Sequence, residues 1–393
     1  MPTTPTPEEL IARARAMIPI LRERAPTQDA ERRLSAETIS DFKEAGFFRI
    51  YQPKRWGGYE MSPRVFCEVQ MALAEGDMSA AWVYGILSVH NFHLALFDDR
   101  AAYEVWGQNQ EALIASPYSP GRAIPVTGGY RFSGRWKFSS GTDHCNWIFL
   151  GGAVQREDGT MAGFDEVRTF LLPRRDYEIV DTWNVVGLKG TGSQDIVVND
   201  VFVPEHRVHK QMDALAWSSP GHAYNPGPLY RLPFWQVFLR AVSTSAIGGL
   251  KGMVDDFVNY GRARVNVVGS QTSRDPDAQL AVAEGLAAVD EMKGTLHRNF
   301  AAMEAHVAAG TIPSTEDRMR WKFQCAAVPE RCHQIAHKLF RASGGAGIYT
   351  SQPFGRAYTD ILPMGNHYAN QFQVSGRNWG GAMMGQDNAD RLL

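Results

Sequence analysis

Apolar positions along the chain keep a helical period up to about residue 110, switch to a period of two, and then return to the helical one. In the first stretch Ser35 is placed to cap a helix whose Ile39 and Phe42 share one face, and Gly46 to end it before Phe47 and Phe48. Further helices are predicted between Pro63 and Trp106. The change comes near residue 112, where Tyr130, Phe132, Trp136 and Phe138 recur at even spacing after the Gly128-Gly129 turn, the pattern of a half-buried strand. Segments 147–150, 169–172 and 196–203 read as companions. Turn signals at Glu157-Asp158-Gly159, Pro173 and Pro204 divide them, which predicts an antiparallel sheet or barrel of about 100 residues.

Residues 205–235, with several prolines and glycines, read as a connection with little regular structure. Beyond it Leu280, Val289, Met292, Leu296, Met303 and Val307 mark a long amphipathic helix that Gly310 can stop. A further helix from about Asp317 towards Arg341 must be kinked or broken by Pro329 and ended by Ser343-Gly344-Gly345. The expected class is α+β, mainly α: a helical domain over 1–112, a sheet domain over 113–215 and a helical bundle over 216–393. A chain of 393 residues has room for two or three such units.

Charge narrows the partners. Forty Lys and Arg against 42 Asp and Glu leave a net charge of -2, which argues against nucleic acid or an anionic membrane surface. No apolar run approaches the roughly 18 residues of a membrane span, and the N-terminus lacks the basic and apolar regions of a signal peptide. Four scattered cysteines, Cys67, Cys145, Cys325 and Cys332, make no disulfide framework, so a reducing cytoplasm is the expected compartment.

Several common chemistries lack their motifs. The glycines of Ser343-Gly344-Gly345-Ala346-Gly347 follow a helix rather than a strand, unlike a dinucleotide fingerprint, and there is no Walker loop or Gly-x-Ser-x-Gly elbow. His90/His93, His206/His209 and Cys332/His333/His337 are the nearest approaches to metal-ligand spacing, and His333 and His337 read as a plain polar helix face. More informative is the end of the strand Trp136-Lys137-Phe138-Ser139-Ser140-Gly141. Aromatic rings and hydroxyls there suit stacking and hydrogen bonding of a planar cofactor, with core packing and turn capping as the plainer reading.

Two further segments carry a resemblance. Gly187-Leu188-Lys189-Gly190-Thr191-Gly192-Ser193 with Asp200-Val201-Phe202-Val203-Pro204, and Ser343-Gly344-Gly345-Ala346-Gly347-Ile348-Tyr349 with Arg356 and Asp360, resemble the acyl-CoA dehydrogenase fold over nearly the whole chain. That resemblance implies an N-terminal helical domain, a middle β-barrel and a C-terminal four-helix bundle. Where common dehydrogenases carry a Glu in Tyr-Glu-Gly-Thr, this chain has Asn366-His367-Tyr368-Ala369, so the usual base for α-proton removal is missing.

With His there, the chain resembles the oxygenase components of two-component flavin-dependent phenol hydroxylases: the secosteroid phenol, 4-hydroxyphenylacetate and resorcinol enzymes. The resemblance implies that a separate NAD(P)H:flavin reductase supplies reduced flavin, FADH2 or FMNH2. Oxygen then forms a C4a-hydroperoxyflavin that hydroxylates a phenol ortho to its oxygen. It further implies a homotetramer. The alternatives are a dehydrogenase of the same fold, or an oxygenase acting on an indole, a sulfur heterocycle or an amine.

By the same resemblance His90 is the candidate base, poised near neutrality to take the phenol proton, with His93 one turn later equally able to face inward. Ser116 would hydrogen-bond the phenol oxygen, Ser140 would meet flavin N5, and His367 would stand over the flavin face as a proton donor. Trp82, Tyr118 and Phe138 would wall the ring system, and Ser139 is carried over as a further cofactor-binding residue. Arg262 or Arg264, with Ser343 and Gly344, would take the flavin phosphate, the arginine coming from a neighbouring subunit.

Overall fold

The protein is described by a computed structural model covering residues 4–265 and 269–393. Six helices come first: α1 (Pro7–Ala16), α2 (Ile18–Glu31), α3 (Ala36–Glu44), α4 (Pro63–Gly76), α5 (Met78–Leu94) and α6 (Asp99–Trp106). Ser35 caps α3 as expected, its Oγ accepting from the Thr38 N–H, and Gly46 takes the left-handed conformation after it. Helix α5 is mostly apolar, and every residue in it is buried, including the polar Ser79, Ser88, His90, Asn91 and His93. Its N-terminus is held by Asp77, which accepts from the Ser79 N–H and from Gln28 Nε2.

The strands are β1 (Ile114–Ala115), β2 (Gly121–Val126), β3 (Gly129–Ser139), β4 (Trp147–Val154), β5 (Val167–Pro173), β6 (Glu178–Val180), β7 (Gln194–Pro204) and β8 (Val208–Lys210). They form one sheet in the order β6-β7-β3-β2-β4-β5-β8, with β1 beside β4. The expected antiparallel sheet is corrected to a mixed one, because β4 runs parallel to both β1 and β2. After the β2–β3 hairpin the chain turns at Gly141 and re-enters on the far side of β2, which restores the direction of β2. Inside, Phe132 stacks on Phe170, and Trp136 Nε1 donates to the Ser119 and Gly151 carbonyls.

The remaining helices are α7 (Gln211–Leu215), α8 (Phe234–Ala241), α9 (Thr244–Ala263), α10 (Pro276–Ala309), α11 (Thr315–Ala326), α12 (Val328–Ala342), α13 (Pro353–Met364) and α14 (Phe372–Met383). Helices α9, α10, α12 and α13 pack as the bundle, and α9 also lies along α4. Gly310 ends α10 in the left-handed conformation, although Leu280, expected on its buried face, is 57% exposed. Pro329 lies in the first turn of α12, so the break falls at Ala327. The connection over 205–235 holds more structure than expected: β8, α7 and three short turns of 3₁₀ helix. Among the described residues no helix is long and apolar enough to cross a membrane.

Candidate active site

A cavity of about 690 Å³ opens where α5, the ends of the barrel strands, α8 and the α13–α14 connection meet. Its wall is aromatic and hydroxylic: Trp82, Phe138, Trp183, Tyr118, Phe238 and Tyr368 with Ser116, Ser140, Thr191 and Ser193. Among the described residues no Asp or Glu lines it, and its one histidine is His367. The size lies in the range of small-molecule and cofactor sites.

Ser140 is the best-defined polar atom of the wall. Trp82 Nε1 donates to its Oγ at 3.1 Å, and the same Oγ lies 2.7 Å from Ser193 Oγ, itself 2.7 Å from Thr191 Oγ1. Thr191 donates its hydroxyl to the Leu188 carbonyl at 2.8 Å, which sets the direction of the whole chain. Thr191 must accept from Ser193, and Ser193 from Ser140. Ser140 therefore spends its proton on Ser193, takes the indole N–H on one lone pair, and keeps the other as an acceptor.

Leu188 anchors this chain from the bundle side. Its N–H donates to Asp360 Oδ1 of α13 at 2.6 Å, and its carbonyl also accepts from Trp183 Nε1. Burial pushes the Asp360 carboxyl up to about 8. Next to Leu188, a Cβ on Gly187 would lie 1.7 Å from the Thr359 carbonyl oxygen, so only glycine lets the barrel loop reach α13 this closely.

Phe138 lines the cavity through a local backbone departure. Pairing of β3 with β7 slips between Trp136 and Ser139, and Phe138 takes φ 69°, the left-handed region, leaving its ring 65% exposed near Trp183. Ser139, expected beside the cofactor, is fully buried and absent from the cavity wall, next to the slip in β3–β7 pairing that brings Phe138 to the cavity.

His367 stands opposite, its ring 5.7 Å from that of Trp82. Its Nδ1 accepts the Ala369 N–H at 3.2 Å, and burial pushes the imidazole down to about 4. A neutral ring whose Nδ1 is an acceptor carries its proton on Nε2.

His90 departs from expectation in two respects. It is fully buried without lining the cavity, and burial pushes it down to about 4 rather than leaving it poised near neutrality. Its Nδ1–H donates to the Ile114 carbonyl at 2.6 Å, two residues before Ser116, which does line the cavity. Its ring packs edge-on against Tyr118 and Phe149. His93 also packs against Tyr118, with Nδ1 2.8 Å from the tyrosine hydroxyl.

Arg264, Ser343 and Gly344 come together away from this cavity. The Arg264 guanidinium lies over Tyr260, touches the Ala342 carbonyl at 3.4 Å and passes close to Gly344, while Tyr260 donates to the Ser343 carbonyl. Arg262 points to solvent at the end of α9. Residues 266–268 of that segment lie outside the described residues. Among the described residues no group of three or more His, Cys, Asp or Glu could hold a metal ion. His206 instead pairs with Glu104, and His333 stacks on Tyr358.

Trp183, Thr191, Ser193, Phe238 and Tyr368 were not singled out from sequence as functional. Thr191 and Ser193 sit in the glycine-rich 187–193 segment read only as a family marker, and Tyr368 adjoins His367; nothing local distinguishes Trp183 or Phe238 from core aromatics.

Residues 241–372 match the family model for the acyl-CoA dehydrogenase C-terminal domain. The chain is 38% identical over 360 residues to a flavin-dependent monooxygenase, oxygenase subunit HsaA, of Rhodococcus jostii (strain RHA1), covering 90% of this chain and 93% of that one. It is 31% identical to the oxygenase component of an FADH(2)-dependent resorcinol hydroxylase of Rhizobium sp. (strain MTP-10005), over 96% of this chain and 94% of that one. A crystal structure of 3-HSA hydroxylase from Rhodococcus sp. RHA1 superposes with a TM-score of 0.93 at 35% identity, over 98% of this chain and 99% of that one. A bundle matched to the dehydrogenase model, a cavity without a carboxylate and full-length relatives of one kind agree: the chain belongs to the flavin-dependent monooxygenase oxygenase subunits built on the acyl-CoA dehydrogenase fold.

Proposed function

We propose that this protein is the oxygenase component of a two-component monooxygenase that hydroxylates a phenol ortho to its oxygen, using reduced flavin delivered by a separate reductase. One observation carries the reading: a cavity of cofactor size whose wall offers aromatic rings, hydroxyls and a neutral histidine but no carboxylate. Removal of a proton α to a thioester carbonyl needs such a base, whereas hydroxylation of an aromatic ring does not.

The wall fits a planar reduced flavin. Trp82, Phe138 and Trp183 offer surfaces for its ring system, and the spare lone pair of Ser140 matches a ring N–H donor such as flavin N5–H. When bound, reduced flavin activates O2, one oxygen atom of which enters the substrate ring while the other leaves as water. His367 Nε2–H supplies a proton at the cavity face, and the apolar wall excludes water. Ser116 hydrogen-bonds the phenol oxygen, and His90 acts behind it by holding the Ile114 carbonyl. Arg264, grouped with Ser343 and Gly344 outside the cavity, takes the flavin phosphate of a neighbouring copy in a homotetramer.

The test is turnover with a flavin reductase, NADH and ¹⁸O2 against a panel of phenols, with FAD and FMN in separate arms. A catechol-type product carrying one labelled oxygen is expected. Hydrogen peroxide alone with every phenol, or oxidation of butyryl-CoA with an artificial acceptor, overturns the reading.

A further inference from the structure

We propose that Tyr118, His93, His209 and Ser219 form a proton path that carries the substrate's phenol proton out of the cavity, an inference that rests on the phenol hydroxylase reading. The four groups make one unbroken line of hydrogen bonds. Tyr118 Oη lies 2.8 Å from His93 Nδ1, His93 Nε2 lies 3.2 Å from His209 Nδ1, and His209 Nε2 lies 3.1 Å from Ser219 Oγ. Tyr118 is in the cavity wall, and Ser219, itself buried, lies between the exposed Ser218 and Pro220. The line thus starts at a residue of the cavity wall and ends at Ser219, which is 4% exposed between two exposed neighbours.

Two imidazoles here need a reason. His93 is stacked on Phe234 with centroids 4.3 Å apart and packed against Phe97 and Phe149, and His209 lies against Phe97. A phenylalanine would fill such a site without burying ring nitrogens that must then find partners. What an imidazole adds is the capacity to accept a proton on one nitrogen while releasing another from its second. The groups acting on the path are His90 beside His93, His222 beside His209 and Tyr368 beside Tyr118, none of them a carboxylate. Burial holds both imidazoles neutral, so they act as relays and do not store the proton.

The transfer balances. The phenol O–H bond breaks as its proton goes to Tyr118 Oη, and the Tyr118 proton passes to His93 Nδ1. The Nε2 proton of His93 goes to His209 Nδ1, that of His209 Nε2 goes to Ser219 Oγ, and the serine's own proton leaves to water. A phenolate stays in the cavity, every path residue ends neutral, and both imidazoles have switched tautomer. A proton travelling inward to the product phenolate restores them. His93 and His209 are positioning residues in this scheme, and Tyr118 is the one that touches substrate.

The experiment uses 4-nitrophenol as a chromophoric phenol, mixed in stopped flow with the flavin-free protein at a pH below the probe's own pKa. Phenolate absorbance and proton release to an indicator dye are followed together. In His209→Gln, which keeps a donor and an acceptor but has no second nitrogen to relay through, probe affinity should stay within about threefold while phenolate formation and proton release slow by about tenfold or more. The solvent deuterium isotope effect seen with the unsubstituted protein should change with it. If His209→Gln does not fold, Ser219→Ala at the far end of the path is expected to slow the same step. Unchanged rates in the folded variant, or a probe bound by the unsubstituted protein without proton release, overturn the path. Coupled hydroxylation of phenols is assayed in parallel. Product formation with unchanged phenolate kinetics sinks the path alone, whereas its absence with every phenol sinks the functional reading.

Discussion

The indole N–H of Trp82 donates to Ser140 Oγ at 3.1 Å, tying the buried helix α5 to the end of strand β3. Because Ser140 passes its own proton towards Ser193 and Thr191, the bond leaves the serine as an acceptor facing the cavity. The conformation of that wall therefore depends on residues from α5, from the barrel and, through Leu188 and Asp360, from the bundle.

Ser140→Ala removes the acceptor without changing volume much. One neutral hydrogen bond contributes about 1 kcal/mol, so the ratio of hydroxylated product to hydrogen peroxide should fall about fivefold with flavin affinity little changed. Peroxide and product measured in the same reductase-coupled assay check this. An unaltered ratio removes Ser140 from the chemistry.

His90→Phe keeps a ring in the core but leaves the Ile114 carbonyl without its donor, at a cost of about 1–3 kcal/mol in stability and a drop in coupling as Ser116 shifts. His90→Asn places an N–H near the position of Nδ1 and should restore both. Stability from urea unfolding and coupling from product yield are the measurements. A base would not be rescued by Asn, so failure of coupling to recover with stability would return His90 to the proton chemistry.

His367→Asn retains an acceptor for the Ala369 N–H and loses Nε2–H. Oxygen consumption by the protein loaded with reduced flavin should slow by about a hundredfold, the scale of a positioned proton donor. Since burial holds His367 near 4, the unsubstituted protein should show no His367 titration in this rate from about pH 5 upward. A titration there that vanishes in the variant would contradict the neutral assignment.

Asp360 gives a stability signature with a defined sign. Its carboxyl is raised from 3.8 to about 8 in the folded protein, so between those values the folded state holds a proton that the unfolded state has lost. Stability from this group is complete below 3.8 and is lost as the pH rises through 8. His90, His209 and His367, all lowered on folding, act in the opposite direction below 6.5 but are neutral in both states above it. From pH 6.5 to 8 stability should fall by up to about 1.4 kcal/mol per pH unit. Asp360→Asn, which keeps the acceptor for the Leu188 N–H, should flatten that slope in urea titrations.

Much of the architecture was legible in the sequence. Helix α3 with its Ser35 cap, α10 ending at Gly310 and the alternating strand β3 all follow from local periodicity and turn chemistry. The parallel pairing of β4 with β2 was not, because strand direction depends on where the chain re-enters the sheet, which no local pattern records. Site residues divide in the same manner. Ser140 and His367, singled out through the family resemblance, both reach the cavity wall, whereas Ser139 lies buried off it beside the slip at Phe138, which no local pattern records.

By itself the sequence determined the order of helices, strands and helices, the absence of the dehydrogenase Glu at 366–369 and the family to which the chain belongs, since these reside in residue types and their spacing. Only the tertiary structure decided that His90 meets the Ile114 carbonyl, that Thr191 and Ser193 hydrogen-bond in line with Ser140, and that His93 meets His209 across 116 positions of chain. The physical reason is that hydrogen-bond direction and burial are set by neighbours brought from distant segments. A histidine's protonation and the side of a wall on which it stands are properties of the packed protein.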